Sequence, residues 1–370
     1  MSDRTLVTGF PTYLARRLVR RLLETSTEEQ VTLLCRTKFS DEAQQFVRDL
    51  PPERARRCRI LIGDICDIDL GLAGVEYTTL ASEVTTIYHA AVISQLAAGR
   101  ERIERVHVDG TRTVIDLASE SPKLRRLVHL STAAVAGARQ GVVMEDELER
   151  GQRFRNLIEE SRFEAEKLVQ SAARRLPTTV VRPATIVGDS RTGEIHRLDG
   201  PYHFLQFLLT SPLDVSVPLP GRGAAPLHLV PIDFVVDAMV ALGRHPAAAG
   251  STFHLTDPSP FSARRVYELF AERADRKLPK GSVPTGLARL LLRAPGLERL
   301  GQIPREILEQ FDHFVYFNCK NTLALLGGGE GARVVCPTFD QYVDALVRFV
   351  VDEKSARKRR TEEELPDPFG

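Results

Sequence analysis

The sequence predicts an α/β fold: a doubly wound parallel sheet with a mostly helical C-terminal substrate-covering part. Three observations predict it. Through the first 190 residues, short apolar runs alternate with segments of helical period, the rhythm of strand–helix–strand units. A glycine-led turn, Gly9 onward, joins the first apolar run to the first helical segment. After Gly188 the rhythm gives way to loops and then to helical segments punctuated by prolines.

The elements follow in order. Arg4–Thr8 reads as the first strand and Tyr13–Leu23 as the first helix. Gln30–Cys35 is the second strand and Arg59–Ile62 the third, followed by Gly63 and Asp64. Thr86–His89 is the fourth, with a helix over Ile103–Ala118. Leu127–Leu130 is the fifth, a helix over Glu159–Ala173 follows, and Thr178–Ile186 is the sixth. Beyond it, Tyr202–Leu209 is an apolar helix inside a loop-rich stretch. Leu227–Val230 is a short strand, Pro231–Gly243 a helix and Thr252–Leu255 a further sheet strand. This assigns residues 1–190 plus 226–258 to a nucleotide-binding core, 191–225 plus 259–350 to the substrate-covering part, and 351–370 to a charged, frayed tail. Within the covering part, Thr285–Leu300 sets clusters of leucine among Arg289, Arg293 and Arg299. That pattern suits an acyl channel, a membrane surface or cap helices packed on the core, and Pro295–Gly296 breaks any single long interfacial helix.

Composition narrows the class. With 43% hydrophobic and 27% charged residues the chain is an ordinary globular protein, long enough at 370 residues for one large domain with an added part, or for two. A net charge of +1 gives no global field for nucleic acid or an anionic membrane. No run approaches the roughly 18 apolar residues of a membrane span, and no apolar signal region precedes Leu6, so a cytoplasmic protein is expected. The five cysteines (Cys35, Cys58, Cys66, Cys319, Cys336) form neither a CxxC pair nor a metal spacing and are expected to be buried reduced thiols, with no metal bound.

The turn Gly9–Ala15 carries the first functional reading. A dinucleotide loop wants small residues at three places: for the tight turn, for backbone approach to the pyrophosphate, and for helix–strand packing. Here they are Gly9, Thr12 and Ala15. Ala15 is an accepted variant; Thr12 is a departure, because its branched side chain stands where the pyrophosphate approaches. The helix start still offers free N–H groups and the positive end of the dipole. A dinucleotide site and a tight turn that has lost its nucleotide are the two readings. Arg36, at the end of the second strand, suits a 2′-phosphate and so favours NADP(H) over NAD(H); the alternative is a solvated strand-end charge. Asp64 is placed either to meet the adenine amino group or to cap the next turn.

These residues lie in a chain that resembles the extended short-chain dehydrogenase/reductases of the epimerase/dehydratase superfamily, and most of all their thioester-reductase and fatty-acyl-reductase branch. The resemblance runs through Thr8-Gly9-Phe10-Pro11, Gly63-Asp64-Ile65, Tyr88-His89-Ala90-Ala91, Val108-Asp109-Gly110-Thr111, Leu130-Ser131-Thr132, Phe163-Glu164-Ala165-Glu166 and Arg182–Gly188. Gly188–Glu194, Asp199–Tyr202, Val230–Val235 and Phe253–Asp257 continue it, so that it covers about residues 4–345. It implies a Rossmann sheet with the nucleotide against Gly9, Phe10, Pro11, Thr12, Tyr13 and Leu14, then Arg36, Asp64 and Ile65, then Ala90, Ala91, Arg162, Pro183 and Ile186. It implies hydride transfer between nicotinamide and a carbonyl, often an acyl thioester or aldehyde. In the family a Tyr handles the carbonyl proton and a Lys lowers its pKa and holds the ribose. A Ser or Thr polarises the carbonyl, and an Asn supports the helix and relay.

Mapped residue by residue, the hydroxyl is retained as Thr132, the Asn position is His107, the Tyr position is Ile158 and the Lys position is Arg162. Ile158 has no proton to give, and losing a positioned general acid costs about 10²–10⁴ in rate. Arg162 keeps hydrogen bonds to offer a ribose but is too basic to shuttle a proton. The alternative is a packed helix face in which Arg162 pairs with Glu159 or Glu166. Tyr202 and His228 are the substrate-side candidates, with His89 and His107 as further possible proton donors. Three functions compete: an NADP(H)-binding reductase-like protein with impaired or absent catalysis; an active NADPH-dependent reductase of an acyl thioester, aldehyde or ketone using Thr132 and a non-standard donor; and a non-catalytic scaffold or regulatory protein without nucleotide. An acyl or other small-molecule substrate is the partner of the active form, a protein partner that of the inactive ones.

Overall fold

The computed structural model describes residues 3–94, 96–210, 219–220, 222–278, 281–283, 311–328 and 333–363; Thr285–Leu300 lies outside them. The chain divides into two compact units, one of residues 1–184, 234–256 and 317–335, the other of 185–233, 257–316 and 336–370.

The first unit is built on a seven-stranded parallel sheet. In chain order its strands are β1 (Arg4–Thr8), β2 (Gln30–Cys35), β3 (Cys58–Ile62), β4 (Thr86–His89) and β5 (Arg126–Leu130). After a short strand outside the sheet, β6 (Gly141–Val143), come β7 (Thr178–Pro183), short β8 (Thr185–Val187), β9 (Leu219–Pro220) and β10 (Leu229–Pro231) of the second unit, and finally β11 (Ser251–Leu255). The order across the sheet is β11-β7-β5-β4-β1-β2-β3. β1 pairs with β2 on one side and β4 on the other, Thr8 standing opposite His89. The strand order therefore reverses beside β1, and the crevice at the carboxyl ends of β1 and β4 is where a doubly wound sheet binds ligand.

Helices cover the sheet: α1 (Tyr13–Thr25), α2 (Ser40–Arg48), α3 (Pro52–Ala55), α4 (Gly74–Glu83), α5 (Arg100–Glu104), α6 (Gly110–Ser119) and α7 (Leu157–Ala172). α5 and α6 are joined by one π-helical turn, Arg105–Asp109, inside what the sequence suggests is a single helix. Such turns recur at functional sites, and this one carries His107. Burial on both faces is why β5 and β7 are buried at every residue. Leu6, Leu34, Leu61, Ile87, Leu127 and Val180 of the sheet pack with Val114 and Ile115 of α6 and Val169 of α7.

The second unit has its own core. It is formed by α8 (Pro201–Thr210), α10 (Ala263–Arg273) and the long α12 (Phe339–Glu363), packed around aromatic side chains. Tyr267 stacks on Phe311 with ring centroids 5.1 Å apart, and Phe270 meets Phe339 edge-on at 5.4 Å. α9 (Ile232–Arg244) and α11 (Lys320–Leu326) complete the named helices.

The structure differs from the sequence reading in several places. The run Thr178–Ile186 is two strands, β7 and β8, that pair with different partners, β11 and β10. Residues 226–233, expected with the nucleotide core, fall in the second unit, and 317–335, expected in the covering part, fall in the first. The physical reason for the latter is a buried carboxylate. Glu145 accepts the Asn321 and Thr322 N–H groups at 2.6 and 3.1 Å, the Thr322 hydroxyl at 2.9 Å and the His254 N–H at 3.0 Å, holding the first turn of α11 against β11. The expected tail from 351 is helical as far as Glu363, as a continuation of α12.

Candidate active site

The turn after β1 is shaped by contact with the end of β4. Gly9 has φ 90°, and a Cβ there would lie 2.4 Å from the Ala90 carbonyl oxygen and 2.7 Å from the Ala91 nitrogen, so only glycine fits. Phe10 is buried against Phe46, and Arg16 both covers its ring and donates to the Pro11 carbonyl at 3.0 Å. Thr12 is the N-cap of α1: its hydroxyl accepts the Ala15 N–H at 3.3 Å. The residue that departs from the dinucleotide pattern thus occupies one of the helix-start donors with its own side chain. Tyr13 and Leu14, in the first turn of α1, are partly exposed.

The two residues read as adenosine contacts meet each other. Arg36 Nε lies 2.9 Å from Asp64 Oδ2, and Asp64 Oδ1 accepts the Cys66 N–H at 3.0 Å. Ile65 is buried against Gly110, where a Cβ would approach its Cδ1 to 2.6 Å.

Behind the loop runs a buried chain of hydrogen bonds. Thr8 Oγ1 is 2.9 Å from His89 Nδ1, His89 Nε2 is 3.0 Å from Thr111 Oγ1, and Thr111 donates to the His107 carbonyl at 2.5 Å. Because the Thr111 proton is committed to that carbonyl, its oxygen accepts from His89 Nε2–H, and His89 Nδ1 accepts from Thr8. His107 is assigned in the same way. Its Nε2 accepts the Ile93 N–H at 2.9 Å, so Nδ1–H donates to Ser161 Oγ at 2.8 Å, and Ser161 donates to the Ile158 carbonyl at 3.2 Å. Burial first, and then the charge of Arg162, pushes both histidines down to about 3, so both are neutral near pH 7.

Arg162 reaches from α7 to the last residue of β5, donating from Nη2 to the Leu130 carbonyl. Burial lowers its pKa to about 10 against an opposing pull from Glu166, so it stays charged. The expected ion pair with Glu159 or Glu166 is absent among the described residues. Glu159 is taken by Arg155 at 2.8 Å. Glu166 is taken by Arg182 at 2.6 Å, by Gln170 at 3.0 Å and by the Ser131 hydroxyl. Thr132 starts a 3₁₀ turn, accepting the Ala134 N–H at 3.2 Å with its hydroxyl 3.5 Å from the Pro183 carbonyl.

In the second unit, Ile186 on β8 is partly exposed. Tyr202 lies in the aromatic core, its hydroxyl accepting the Gly188 N–H at 2.7 Å. The sequence expectation set it at the border of a substrate mouth; its side chain is fully buried. His228 is also buried and donates from Nε2 to the Val315 carbonyl at 2.9 Å, which burial accompanies with a lowered pKa. Ser161, His129, Glu166 and Arg182 are the buried polar residues around α7 that the sequence did not single out as site residues. Arg182, inside the Arg-Pro run that ends β7, and Glu166, which ends Phe-Glu-Ala-Glu, carry a local signal, whereas Ser161 and His129 carry none.

A protein-family model described as male sterility protein matches residues 7–239. The chain belongs to this family. It is a nicotinamide-nucleotide-binding family of extended short-chain dehydrogenase/reductases, in the thioester-reductase-like branch. The chain is 26% identical over 287 residues to a glycine betaine reductase of Emericella nidulans, covering 71% of this chain and 22% of that protein. It is 26% identical over 277 residues to the fatty acyl-CoA reductase wat of Drosophila melanogaster, covering 64% and 53%. It thus spans about a fifth to a half of these relatives. Among solved structures it resembles the terminal R domain of the myxalamid PKS-NRPS biosynthetic pathway, with TM-score 0.80 and 26% identity over 96% of this chain and 91% of that one. Within this male sterility protein fold, α7 is the helix that follows β5, and it presents Ile158 and Arg162 four residues apart on one face.

Proposed function

We propose that this chain binds NADP(H) at the strand-end crevice and has lost ordinary hydride-transfer catalysis. The fit to a nucleotide rests on the tight turn that Gly9 lets close against Ala90, on the α1 start and on the half-exposed Arg36. Gly9, Phe10, Pro11, Tyr13 and Leu14 would line the pyrophosphate, and Ala90, Ala91 and Pro183 the nicotinamide half. Arg36 would turn from Asp64 to a 2′-phosphate, which favours NADP(H) over NAD(H). When bound, the nucleotide supplies the hydride. The chain's own residues supply position, and little else.

One observation carries the loss of catalysis. The hydrogen-bond chain His107–Ser161 ends on the backbone carbonyl of Ile158, the residue standing where the family has its tyrosine. A carbonyl accepts but holds no proton, so the chain has nothing to pass to a substrate. Arg162 remains protonated and does not replace it. Thr132 supports the second reading, a slow reductase that polarises a carbonyl and takes its proton from water.

Titrating the purified chain with NADPH, followed by heat or nucleotide fluorescence, tests the binding. No signal at about 1 mM nucleotide, far weaker than a working cofactor site, sinks it. Turnover is tested by NADPH consumption over acyl-CoA, aldehyde and ketone panels, where rapid oxidation refutes the loss of catalysis.

A further inference from the structure

One buried cation has no carboxylate within ion-pair distance among the described residues, and Glu166, already paired with Arg182, pulls on it only from farther away. Arg162 is 6% exposed, its only hydrogen bond there is to the Leu130 carbonyl, and the two carboxylates on its own helix face are held by Arg155 and Arg182. The titratable groups around it from β4, β5 and the π-helical turn are His89, His129 and His107, and its charge disfavours protonation of each. His129 makes a second open demand: it is 2% exposed, and neither ring nitrogen has a hydrogen-bond partner. A desolvated guanidinium is costly unless an anion meets it. Because Leu130 closes β5, the guanidinium stands at the carboxyl end of the sheet, where ligands of this architecture sit. One turn earlier on the same helix face stands Ile158, apolar and half-buried.

We propose that Arg162 anchors the carboxylate of a free aliphatic carboxylic acid, with Ile158 against the first methylenes of its chain. A guanidinium offers paired N–H groups that match two carboxylate oxygens, which the ammonium of the family's lysine does not. The exchanges of Tyr for Ile158 and of Lys for Arg162 then have one explanation: an apolar wall and a planar cation suit an acid as ligand better than a carbonyl awaiting a proton. The inference rests on reading the strand-end crevice as the ligand site. It involves binding alone, with no covalent step.

The test is calorimetric titration of the full chain with octanoate, with its neutral analogue octanamide, and with inorganic phosphate, while NADPH is titrated separately. Octanoate is expected to bind roughly tenfold or more tightly than octanamide, the worth of one charge-assisted pair. Arg162→Gln should weaken octanoate by a similar factor, and Arg162→Lys by less, in variants whose melting temperature shows them folded. Equal binding of octanoate and octanamide to the unaltered chain overturns the proposal even where the variants fail to fold, as does absence of octanoate binding at about 10 mM. Phosphate displacing octanoate at equal concentration also overturns it, in favour of a phosphate-bearing ligand. Failure of NADPH alone to bind removes the dinucleotide reading and leaves the octanoate comparison standing.

Discussion

At the scale of single residues, what matters is which hydrogen-bonding groups are already committed. Thr12 uses its hydroxyl to cap α1, and its Cβ stands beside the donors a pyrophosphate needs. Thr12→Gly leaves the cap almost as good, at a few tenths of a kcal/mol, while opening the approach. NADPH affinity of that variant should therefore rise several-fold, by about 1 kcal/mol, and an unchanged or weaker dissociation constant by calorimetry would remove Thr12 as the obstacle. Arg36 leaves Asp64 to meet a 2′-phosphate. Arg36→Ala should thus cost about 1.5–3 kcal/mol in NADPH binding, the worth of a charged hydrogen bond, and far less in NADH binding. Equal losses for both nucleotides would show that Arg36 does not read the 2′ position. At the catalytic positions, Ile158→Tyr with Arg162→Lys restores a proton donor and its basic neighbour. The double variant should oxidise NADPH with an aldehyde or acyl-CoA about 10²–10⁴ faster than the parent chain. A parent rate already matching the variant would mean that some other group supplies the proton.

At the scale of elements, the pairing of α7 with the π-helical turn explains what the sequence could and could not disclose. The strands were legible because parallel strands buried on both faces read as apolar runs, and α1 because its apolar period is strong, whereas α7, which buries Glu159, Ser161, Arg162 and Glu166, was legible by its place between two strands and its Phe-Glu-Ala-Glu run. Gly9 was legible as a turn residue, although the reason for it, contact with Ala90, needs two strands that are far apart in sequence. The role of His107 was legible only as a mismatch. Its hydrogen bonds go to Ile93 and Ser161, which no local pattern links to it. The same lack of local signal hid Ser161 and His129. The partner of Arg162 was misread because Glu159 and Glu166 are near it in sequence but are claimed in space by Arg155 and Arg182. This buried, neutral histidine layer has a thermodynamic consequence. His89 and His107 titrate at about 3 in the folded chain, against about 6.5 when unfolded, through burial first and then Arg162. Between those values the unfolded chain binds more protons, so their contribution is full above about pH 6.5 and is lost as pH falls toward about 3. Each costs on the order of 1.4 kcal/mol per pH unit within that window. Urea midpoints should accordingly drop from about pH 7 to about pH 5, and His107→Asn should flatten the slope by roughly one histidine's share. An unchanged slope in that variant would mean that His107 already carries a proton when folded.

For the molecule as a whole, assembly of the first unit depends on buried polar junctions between segments distant in sequence. Arg182 on β7 and Glu166 on α7 are both buried and bonded to each other, fixing α7 to the sheet. Glu145 gathers the backbone of β11 and the start of α11, which enters the chain 176 residues later. Composition and periodicity read 259–350 as one covering part because nothing local marks residues 317–335 as belonging to the sheet unit. The distinction lies in where the first N–H groups of α11 find an acceptor, and that acceptor is a carboxylate in a loop after β6. Glu145→Ala strands those backbone donors, whereas the Thr322 hydroxyl keeps the His254 carbonyl as acceptor at 2.9 Å. Loss of a cap with buried donors left unmade should cost about 3 kcal/mol. The loss should be local before it is global, because the carboxylate takes the first N–H groups of α11: amide exchange in residues 320–326 should accelerate ahead of that in β5 and β7. Hydrogen-exchange mass spectrometry separates the outcomes. Uniform acceleration across the sheet would mean that Glu145 stabilises the core itself, whereas unchanged exchange in α11 would mean that the helix is held by other contacts and that the carboxylate is incidental to its placement.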